Sequence, residues 1–257
     1  MQYSLKLLYS GSTGNAALLT AGDAAVLIDA GRSARVLCAA LSRAGVSPDA
    51  LSAIFITHEH RDHTAALEVF LKHHPTPVHA AGATADCLAG CPAIAPHLVA
   101  HSPLFSERVG TLTFTSFCTS HDSAQSVGFR ITVGEGAECV TLGYATDLGV
   151  VTPAVEAGLL GCEAVVLECN HDEEMLMTGP YPYHLKQRIA SRRGHLSNHD
   201  CAVFSARLAA NGMKRLLLAH LSETNNQPEL ALGECRAALA GTAVEIHAAS
   251  PDEITEL

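Results

Sequence analysis

The sequence contains no tryptophan and little charge of either sign. Aromatic residues make up 5% of the 257 residues, and Asp, Glu, Lys and Arg together make up 16%. This scarcity of charge and a hydrophobic content of 48% argue against a disordered chain. Acidic residues outnumber basic ones, and the formal net charge is −10. This charge argues against binding of a polyphosphate over most of the protein surface, but it allows a local basic patch.

The sequence also lacks a CxxC pair and a long apolar run. Its nine cysteines are scattered, so they form neither a zinc ribbon nor a thioredoxin-like motif, and we expect buried, reduced thiols. No apolar stretch approaches the roughly 18 residues of a membrane span. The first ten residues alternate as a strand does and lack the features of a signal peptide. We therefore predict a cytoplasmic protein without membrane contact.

Hydrophobic periodicity predicts a β-rich segment followed by alternating strands and helices, twice over. The predicted strands are Ser4–Tyr9, Ala16–Thr20, Ala25–Asp29, Ala53–Thr57, Pro77–Ala80, three or four within Gly110–Tyr144, Ala164–Glu168, Arg215–Ala219 and Ala243–His247. The predicted helices are Ser33–Ala44, Ala65–Lys72, Pro153–Leu160, Asn198–Ala210 and Glu229–Ala240. This order favours an α/β chain with two sheets face to face and helices outside.

Fifteen histidines are many for this length, and four potential metal donors fall within six residues: His58, His60, Asp62 and His63. Imidazole and carboxylate groups are ligands that a divalent metal accepts. Further isolated donors follow predicted strands, namely His121, Asp147 and His220. A surface cluster is the alternative interpretation. Donors placed at strand ends, where sites collect in open sheets, favour a metal site instead.

The pattern HxHxDH, followed by His, Asp and His, resembles that of the metallo-β-lactamase superfamily. The resemblance implies a single αββα-sandwich domain over residues 1–257, with two metal ions. His58, His60 and His121 would hold one ion, Asp62, His63 and His220 the other, and Asp147 would bridge them. Zinc, manganese and iron all suit these ligands. β-Lactamases usually have Cys at the position of Asp147, which disfavours antibiotic hydrolysis.

In such binuclear sites, two ions about 3.5–4 Å apart share a hydroxide that attacks the substrate. Asp62 has a second plausible role in orienting this hydroxide. Asp29 stands where the superfamily keeps a structural Asp near the site, and we expect it to support a metal ligand.

Two further segments resemble the Glu motif and the His-x-Ser motif of ribonuclease Z and related phosphodiesterases. They are Leu167–His171 and Gly194–Asn198. Carried over, Glu168 would orient His195, and His195 would protonate the leaving oxygen or hold the scissile phosphate. The alternatives are a helix-capping carboxylate for Glu168 and an N-terminal turn residue for His195, with Ser197 or Asn198 as the N-cap.

The sequence is more closely similar to the YycJ-like (WalJ) family. The segments that carry this similarity are Ser10–Asn15, Gly194–Asn198 and His220–Asn226. Members of that family are regarded as DNA-processing nucleases with 5′-to-3′ exonuclease activity, so the resemblance implies DNA as substrate. Polar side chains of these segments are candidate substrate contacts: Ser12, Asn15, Ser197, Ser222 and Asn225. The backbone N–H groups of the glycine turn could also hold a phosphate.

Four of the sixteen basic residues precede His195 within eight positions: Lys186, Arg188, Arg192 and Arg193. In an acidic protein, this stretch would focus positive potential on the site, with Arg188 and Arg192 as candidate phosphate contacts. The alternative is a solvated helix face paired with Glu173, Glu174 or other acids.

Three functions therefore remain open at this stage. The leading hypothesis is a metal-dependent phosphodiesterase acting on DNA. A hydrolase of cyclic phosphodiesters, lactones or thioesters is the second, since the protein is acidic and shows no nucleic-acid module. A non-catalytic metal-binding module is the third, although a full set of seven ligands disfavours it. The oligomeric state is open as well.

Overall fold

The computed structural model describes residues 2–136 and 139–257. Two seven-stranded sheets pack face to face, and helices cover their outer surfaces. The predicted fold class, an αββα sandwich, is confirmed. Within the described residues, no helix has the length and apolar character needed to cross a membrane.

The first sheet has the order β14-β1-β2-β3-β4-β5-β6, in which β1 to β3 are antiparallel and β3 to β6 are parallel. Its strands are β1 (Tyr3–Tyr9), β2 (Ala16–Ala21), β3 (Ala24–Ile28), β4 (Ala53–Phe55), β5 (Val78–Ala81), β6 (Leu98–His101) and β14 (Thr255–Glu256). The helices between them are α1 (Ala34–Arg43), α2 (Arg61–Thr64), α3 (Leu67–His73) and α4 (Gly82–Ala89).

The second sheet mirrors this order as β13-β12-β11-β10-β9-β8-β7, antiparallel from β7 to β10 and parallel from β10 to β13. Its strands are β7 (Ser106–Val109), β8 (Leu112–Cys118), β9 (Val127–Val133), β10 (Val140–Ala145), β11 (Ala164–Glu168), β12 (Arg215–Ala219) and β13 (Glu245–Ala248). Its helices are α5 (Pro153–Leu159), α6 (Glu173–Thr178), α7 (Tyr183–Ile189), α8 (Asn198–Ala210) and α9 (Pro228–Ala238).

The central strands are apolar on both faces because each face is covered. In β11, Val166 points into the core between the sheets, whereas Val165 and Leu167 pack under the helices. In β12, Leu217 likewise points into the core between the sheets, and Leu218 packs under the helices. Successive side chains of a strand alternate between its two faces, so a continuous apolar run is the pattern of a strand buried on both sides.

Several predicted elements differ from the structure. The helix predicted at Ala65–Lys72 corresponds to α3, which begins at Leu67, and a separate short helix that was not predicted, α2, ends before it at Thr64. The two helices are separated by backbone anchoring: Ala30 N–H donates to the His63 carbonyl, and Ala66 N–H donates to the Ala30 carbonyl. Further elements were not predicted because they are short and their hydrophobic periodicity is weak: β6, β7, β14, α4, α6 and α7.

The expectation of buried cysteines was only partly correct. All nine cysteines are free, but Cys87 and Cys139 are exposed. Three fully buried thiols, those of Cys169, Cys201 and Cys235, lie together where α8 and α9 pack on the second sheet. Their spacing in the sequence gave no sign of this contact.

Candidate metal centre

The seven predicted ligands meet at one edge of the sandwich, although they come from both sheets. His58 and His60 lie between β4 and α2, and Asp62 and His63 lie within α2. The remaining three follow strands of the second sheet: His121 after β8, Asp147 after β10 and His220 after β12. This placement agrees with the prediction that the donors stand at strand ends.

Strained backbone turns direct three of the site's side chains. Asp29, Asp147 and His220 have φ values of 61°, 56° and 57°, in the left-handed region that few residues other than glycine adopt. Each follows the end of a strand directly or after one residue. Such a conformation costs about 1–3 kcal/mol and persists where the surroundings enforce it. The turns end the strands and send the side chains toward the cluster.

A second constraint is the close approach of the chain at Gly31 to helix α2. Asn15 N–H donates to the Asp62 carbonyl at 2.8 Å, and Gly31 N–H donates to the Asn15 carbonyl at 2.9 Å. A Cβ atom on Gly31 would lie 1.9 Å from the Asp62 carbonyl oxygen and 2.6 Å from Asn15 N. Only glycine fits here, and the packing fixes the position of Asp62.

The donor atoms form overlapping groups, each with all its atoms within 4.8 Å of one another. These groups are His58, His60 and His121; Asp62, His63 and His220; and His58, His63 and Asp147. Asp147 belongs with donors of both other groups, and its Oδ2 lies 3.2 Å from His63 Nε2 while its Oδ1 lies 3.7 Å from His121 Nε2. Asp147 therefore lies between the two other donor groups.

Hydrogen bonds from Nδ1 to carboxylate or carbonyl oxygens fix the orientation of three of the imidazole rings that supply donors. His63 Nδ1 donates to Asp29 Oδ2 and His220 Nδ1 to Glu168 Oε1, both at 2.8 Å. His121 Nδ1 donates to the Gly194 carbonyl at 3.0 Å. Since a carbonyl or carboxylate only accepts, Nδ1 carries the proton in these rings and Nε2 keeps a lone pair for a metal.

Asp29 and Thr57 connect two of the donor groups. The Thr57 hydroxyl donates to Asp29, 2.9 Å from Oδ2, and His58 Nδ1 lies 3.0 Å from the same hydroxyl oxygen. Thr57 N–H donates to Asp29 Oδ1 at 2.8 Å. Because the hydroxyl donates to the carboxylate, it accepts from His58. The predicted supporting residue Asp29 thus orients His63 directly and His58 through Thr57.

Glu168 contacts two histidines rather than the one that the sequence predicted. It is fully buried; its Oε1 accepts from His195 Nδ1 and from His220 Nδ1, each at 2.8 Å, and its Oε2 accepts from the backbone N–H groups of Leu148 and Leu196. Burial favours the neutral acid, but the charges and hydrogen bonds of the two histidines lower the pKa of Glu168 to about 2. The carboxylate is ionised and holds both rings.

The cluster concentrates negative charge in a buried place. Burial works against ionisation of Asp147, but His220 and His63 hold its pKa well below the usual range. In turn, burial opposes protonation of His220, and Asp147, Asp62 and Glu168 raise its pKa to about 10. These carboxylates therefore require positive charge close by, which protons or divalent cations can supply.

Unpaired buried atoms test whether a cation fits. Among the described residues, His58 Nε2, Asp147 Oδ2 and His220 Nε2 are buried without a hydrogen-bond partner. Leaving a buried polar atom unpaired is costly. All three belong to the donor groups, and each offers a lone pair to a cation when its group is deprotonated. The donor set therefore fits divalent metal ions.

The predicted substrate contacts fall into two classes. Asn15, Ser222 and Asn225 are buried and bonded within the chain, so contact between these side chains and a substrate stays a prediction without support from the geometry. Ser197 is the N-cap of α8 and accepts from Asp200 N–H, which was the alternative interpretation of this segment. Ser12 is exposed.

The glycine turn is bonded to the rest of the chain and is not an open phosphate cradle. Gly11 N–H donates to Asn15 Oδ1, Gly14 N–H to the Gly11 carbonyl, and Asn15 N–H to Asp62. Three of its donors are thus satisfied internally. The turn instead positions α2, which the sequence analysis did not foresee.

The basic stretch is only partly available to a ligand. Arg188 pairs with Asp122, and Arg193 Nε donates to the His121 carbonyl at 3.1 Å. The Lys186 ammonium donates to the Met177 carbonyl. Arg192 is exposed, and its carbonyl accepts from the Ser120 hydroxyl. The partner of Arg188 is Asp122 of the neighbouring loop rather than Glu173 or Glu174, which agrees with the alternative interpretation that this basic stretch pairs with acids.

Imidazole and carboxylate donors that converge at one edge of an αββα sandwich define a metallohydrolase. A β-lactamase superfamily domain matches residues 24–221. The chain is 32% identical to exodeoxyribonuclease YycJ of Bacillus anthracis, covering 100% of this chain and 99% of that one. It is 31% identical to exodeoxyribonuclease WalJ of Streptococcus pneumoniae serotype 2, covering 99% and 97%.

Solved structures agree on the fold. The metallo-β-lactamase fold protein YhfI of Bacillus subtilis superposes with a TM-score of 0.75 at 20% identity, covering 99% of this chain and 100% of that one. Zinc-bound PqqB of Methylobacterium extorquens gives 0.74 at 16% identity, covering 100% of both. The chain belongs to the β-lactamase superfamily and, within it, to the family of the YycJ and WalJ proteins.

We predict that Gly31→Ala destabilises the protein and disturbs the metal centre together. The added Cβ would overlap the backbone of α2, and overpacking of this kind costs about 1–3 kcal/mol or more. Thermal unfolding and elemental analysis would measure both effects. Gly233→Ala is the matched control, since Gly233 lies within α9 with nothing within 4 Å of its Cβ position. Wild-type stability and metal content in Gly31→Ala would contradict the proposed constraint.

Proposed function

We propose that this chain is a metal-dependent phosphodiesterase that degrades DNA as a 5′-to-3′ exonuclease. The observation that carries this proposal is the Glu168–His195 pair beside the donor cluster. The His195 ring centroid lies 5.1 Å from those of both His121 and His220. The exodeoxyribonuclease names of the two relatives, which align over nearly the whole chain, support DNA as the substrate.

The donor groups support two divalent ions, zinc or manganese and also iron. His58, His60 and His121 would hold one, Asp62, His63 and His220 the other, and Asp147 would contact both. Bound ions would supply positive charge for the phosphate oxygens and the Lewis acidity that makes water nucleophilic at neutral pH. Asp62 is 26% exposed, so it is also placed to accept a hydrogen bond from a reacting water.

His195 has the geometry of a general acid. Its Nδ1 donates to the ionised carboxylate of Glu168, which fixes the orientation of the ring. The side chain is 19% exposed, so Nε2 can reach a substrate. As water oxygen bonds phosphorus and the P–O3′ bond breaks, the leaving O3′ needs a proton. His195 Nε2 is the donor we assign to it, with Glu168 as a positioning residue.

The first test concerns metal stoichiometry. Protein purified without chelator should approach two metal equivalents per chain by elemental analysis, because two donor groups share Asp147. Asp147→Ala should fall well below two, since the shared carboxylate is lost. Asp86→Ala, an exposed carboxylate on α4, should retain the wild-type content. Wild-type protein that stays at zero or one equivalent after metal loading would exclude the binuclear assignment.

The second test separates proton transfer from metal binding. His195→Ala should keep its metal content but lower kcat on DNA by about 10²-fold or more, since general acids commonly contribute 10²–10⁴-fold. The loss should be much smaller with bis-p-nitrophenyl phosphate, whose leaving group departs without a proton. His199→Ala, exposed on α8, is the control. Equal losses on both substrates would indicate phosphate positioning instead.

The third test concerns Arg192. Each cation that contacts a duplex phosphate adds about 0.9 to the slope of log K against log salt concentration. Arg192→Ala should therefore flatten this slope by about 0.9, and Arg188→Ala by less because Asp122 already neutralises Arg188. Arg236→Ala, exposed on α9, should leave the slope unchanged. An unchanged slope for Arg192→Ala would favour the solvated-surface interpretation of the basic stretch.

A further inference from the structure

A cavity of about 220 Å³ adjoins His195. It lies among α6, the end of α7 and the first turn of α8, and none of the seven candidate metal ligands lines it. His195 therefore lies between this cavity and the metal centre. Whatever group leaves toward His195 during the proposed reaction is next to the cavity opening.

The cavity combines an apolar wall with polar groups. Leu176 and Met177 of α6 supply the apolar surface, and Met177 is 56% exposed. His171 and Ser197 supply neutral polar groups. A flat ring with polar edges can contact both kinds of surface at once, which is how small ligands are usually oriented in a pocket.

His171 is an unsatisfied polar residue in this wall. The residue is 3% exposed, and its Nδ1 has no hydrogen-bond partner among the described residues. Burial lowers the pKa of His171, so the neutral ring offers one donor and one acceptor. The Ser197 hydroxyl accepts from Asp200 N–H, which leaves its own hydrogen for a ligand. The structure thus presents polar atoms that still lack partners.

The charged residues on the two sides of the metal centre differ. Glu173 and Asp200 line the cavity beside His195. Beside Asp62, by contrast, a more open cleft of about 460 Å³ is lined by Ser12, Thr13, Arg32 and Arg61, among others. Arg32 pairs with Asp252 at 2.8 Å, so Arg61 is the arginine of this cleft that has no ion pair among the described residues. Phosphates are repelled by carboxylates and attracted by arginines. The cleft suits the charged backbone of a strand, and the cavity suits an uncharged group.

We propose that the cavity binds the base of the terminal nucleotide whose O3′ leaves. This inference rests on the proposed DNA exonuclease function. A volume of about 220 Å³ is below the roughly 300–1,000 Å³ of pockets for drug-sized ligands, so it has room for one base. A site that accepts a single unstacked base favours a strand end over the interior of a duplex.

The carboxylates also set a preference among bases. Carboxylates accept hydrogen bonds from the exocyclic amino groups of bases, as in the pairing of Glu or Asp with cytosine N4. Thymine has no such amino group. The cavity therefore favours a terminal cytosine, adenine or guanine over thymine.

The experiment compares 5′-phosphorylated single strands that differ only in a terminal C or T, measuring kcat/KM for release of that nucleotide by the metal-loaded enzyme. Dissociation constants of dCMP and dTMP are measured by titration calorimetry. We expect wild type to favour C about five-fold or more in both. The ratio should collapse toward one in Glu173→Ala or Asp200→Ala, and persist in Glu174→Ala, the exposed neighbour in the first turn of α6 that does not line the cavity.

The outcomes separate this inference from the function on which it rests. Wild-type enzyme that degrades both strands with equal kcat/KM and binds both nucleotides equally would overturn the base site and leave the exonuclease proposal intact. A C preference that both Glu173→Ala and Asp200→Ala retain would also overturn it. Enzyme that degrades neither strand would overturn both proposals.

Discussion

The hydrogen bonds that hold the Nδ1 atoms of the site histidines determine where their Nε2 atoms point. Two buried carboxylates accept most of these hydrogen bonds. Asp29 holds His63 directly and His58 through Thr57, while Glu168 holds His220 and His195. Each carboxylate thus orients side chains with different tasks. Partners of this kind fix the tautomer and raise the basicity of a ligand, so a change at one carboxylate affects two positions of the site at once.

The fold brings the side chains of the site together, but three of them require a strained backbone conformation. Parallel strands of both sheets end at the same edge, and Asp29, Asp147 and His220 leave those ends through left-handed backbone. Such strain is tolerated only where packing leaves no alternative. The two faces of β11 and β12 are buried in separate cores, so a shift of either strand by one residue would exchange the side chains of the two cores and disrupt the packing of both. A core that is apolar throughout therefore stabilises a site that is polar and strained.

The sequence predicted the αββα class, most of the longer elements and the seven donors, because these signals are local. Donors such as His58 and His60 follow a strand within a few residues, and strand ends have a known geometry. The double contact of Glu168 was not predictable, since His195 and His220 lie far along the chain and only the parallel order of β11 and β12 brings them together. The pairing of Arg188 with Asp122 was missed for the same reason. The role of Gly31 was not predicted, because its contact with α2 depends on tertiary packing.

The distribution of charge explains how an acidic protein can act on a polyanion. A net charge of −10 repels DNA from most of the surface, and the cations near the site are few. Arg61 and Arg32, which pairs with Asp252, lie beside Asp62. Arg192 and Arg193 lie on the side of His121. Carboxylates on the opposite side, Glu173 and Asp200, discourage a strand from continuing past His195. A DNA strand whose phosphates lie along the arginines, and which meets carboxylates beyond the reacting phosphate, would be bound at its end. On the proposed function, the contrast between carboxylates on one side of the metal centre and arginines on the other, rather than a broad basic surface, would favour removal of terminal nucleotides over internal cleavage.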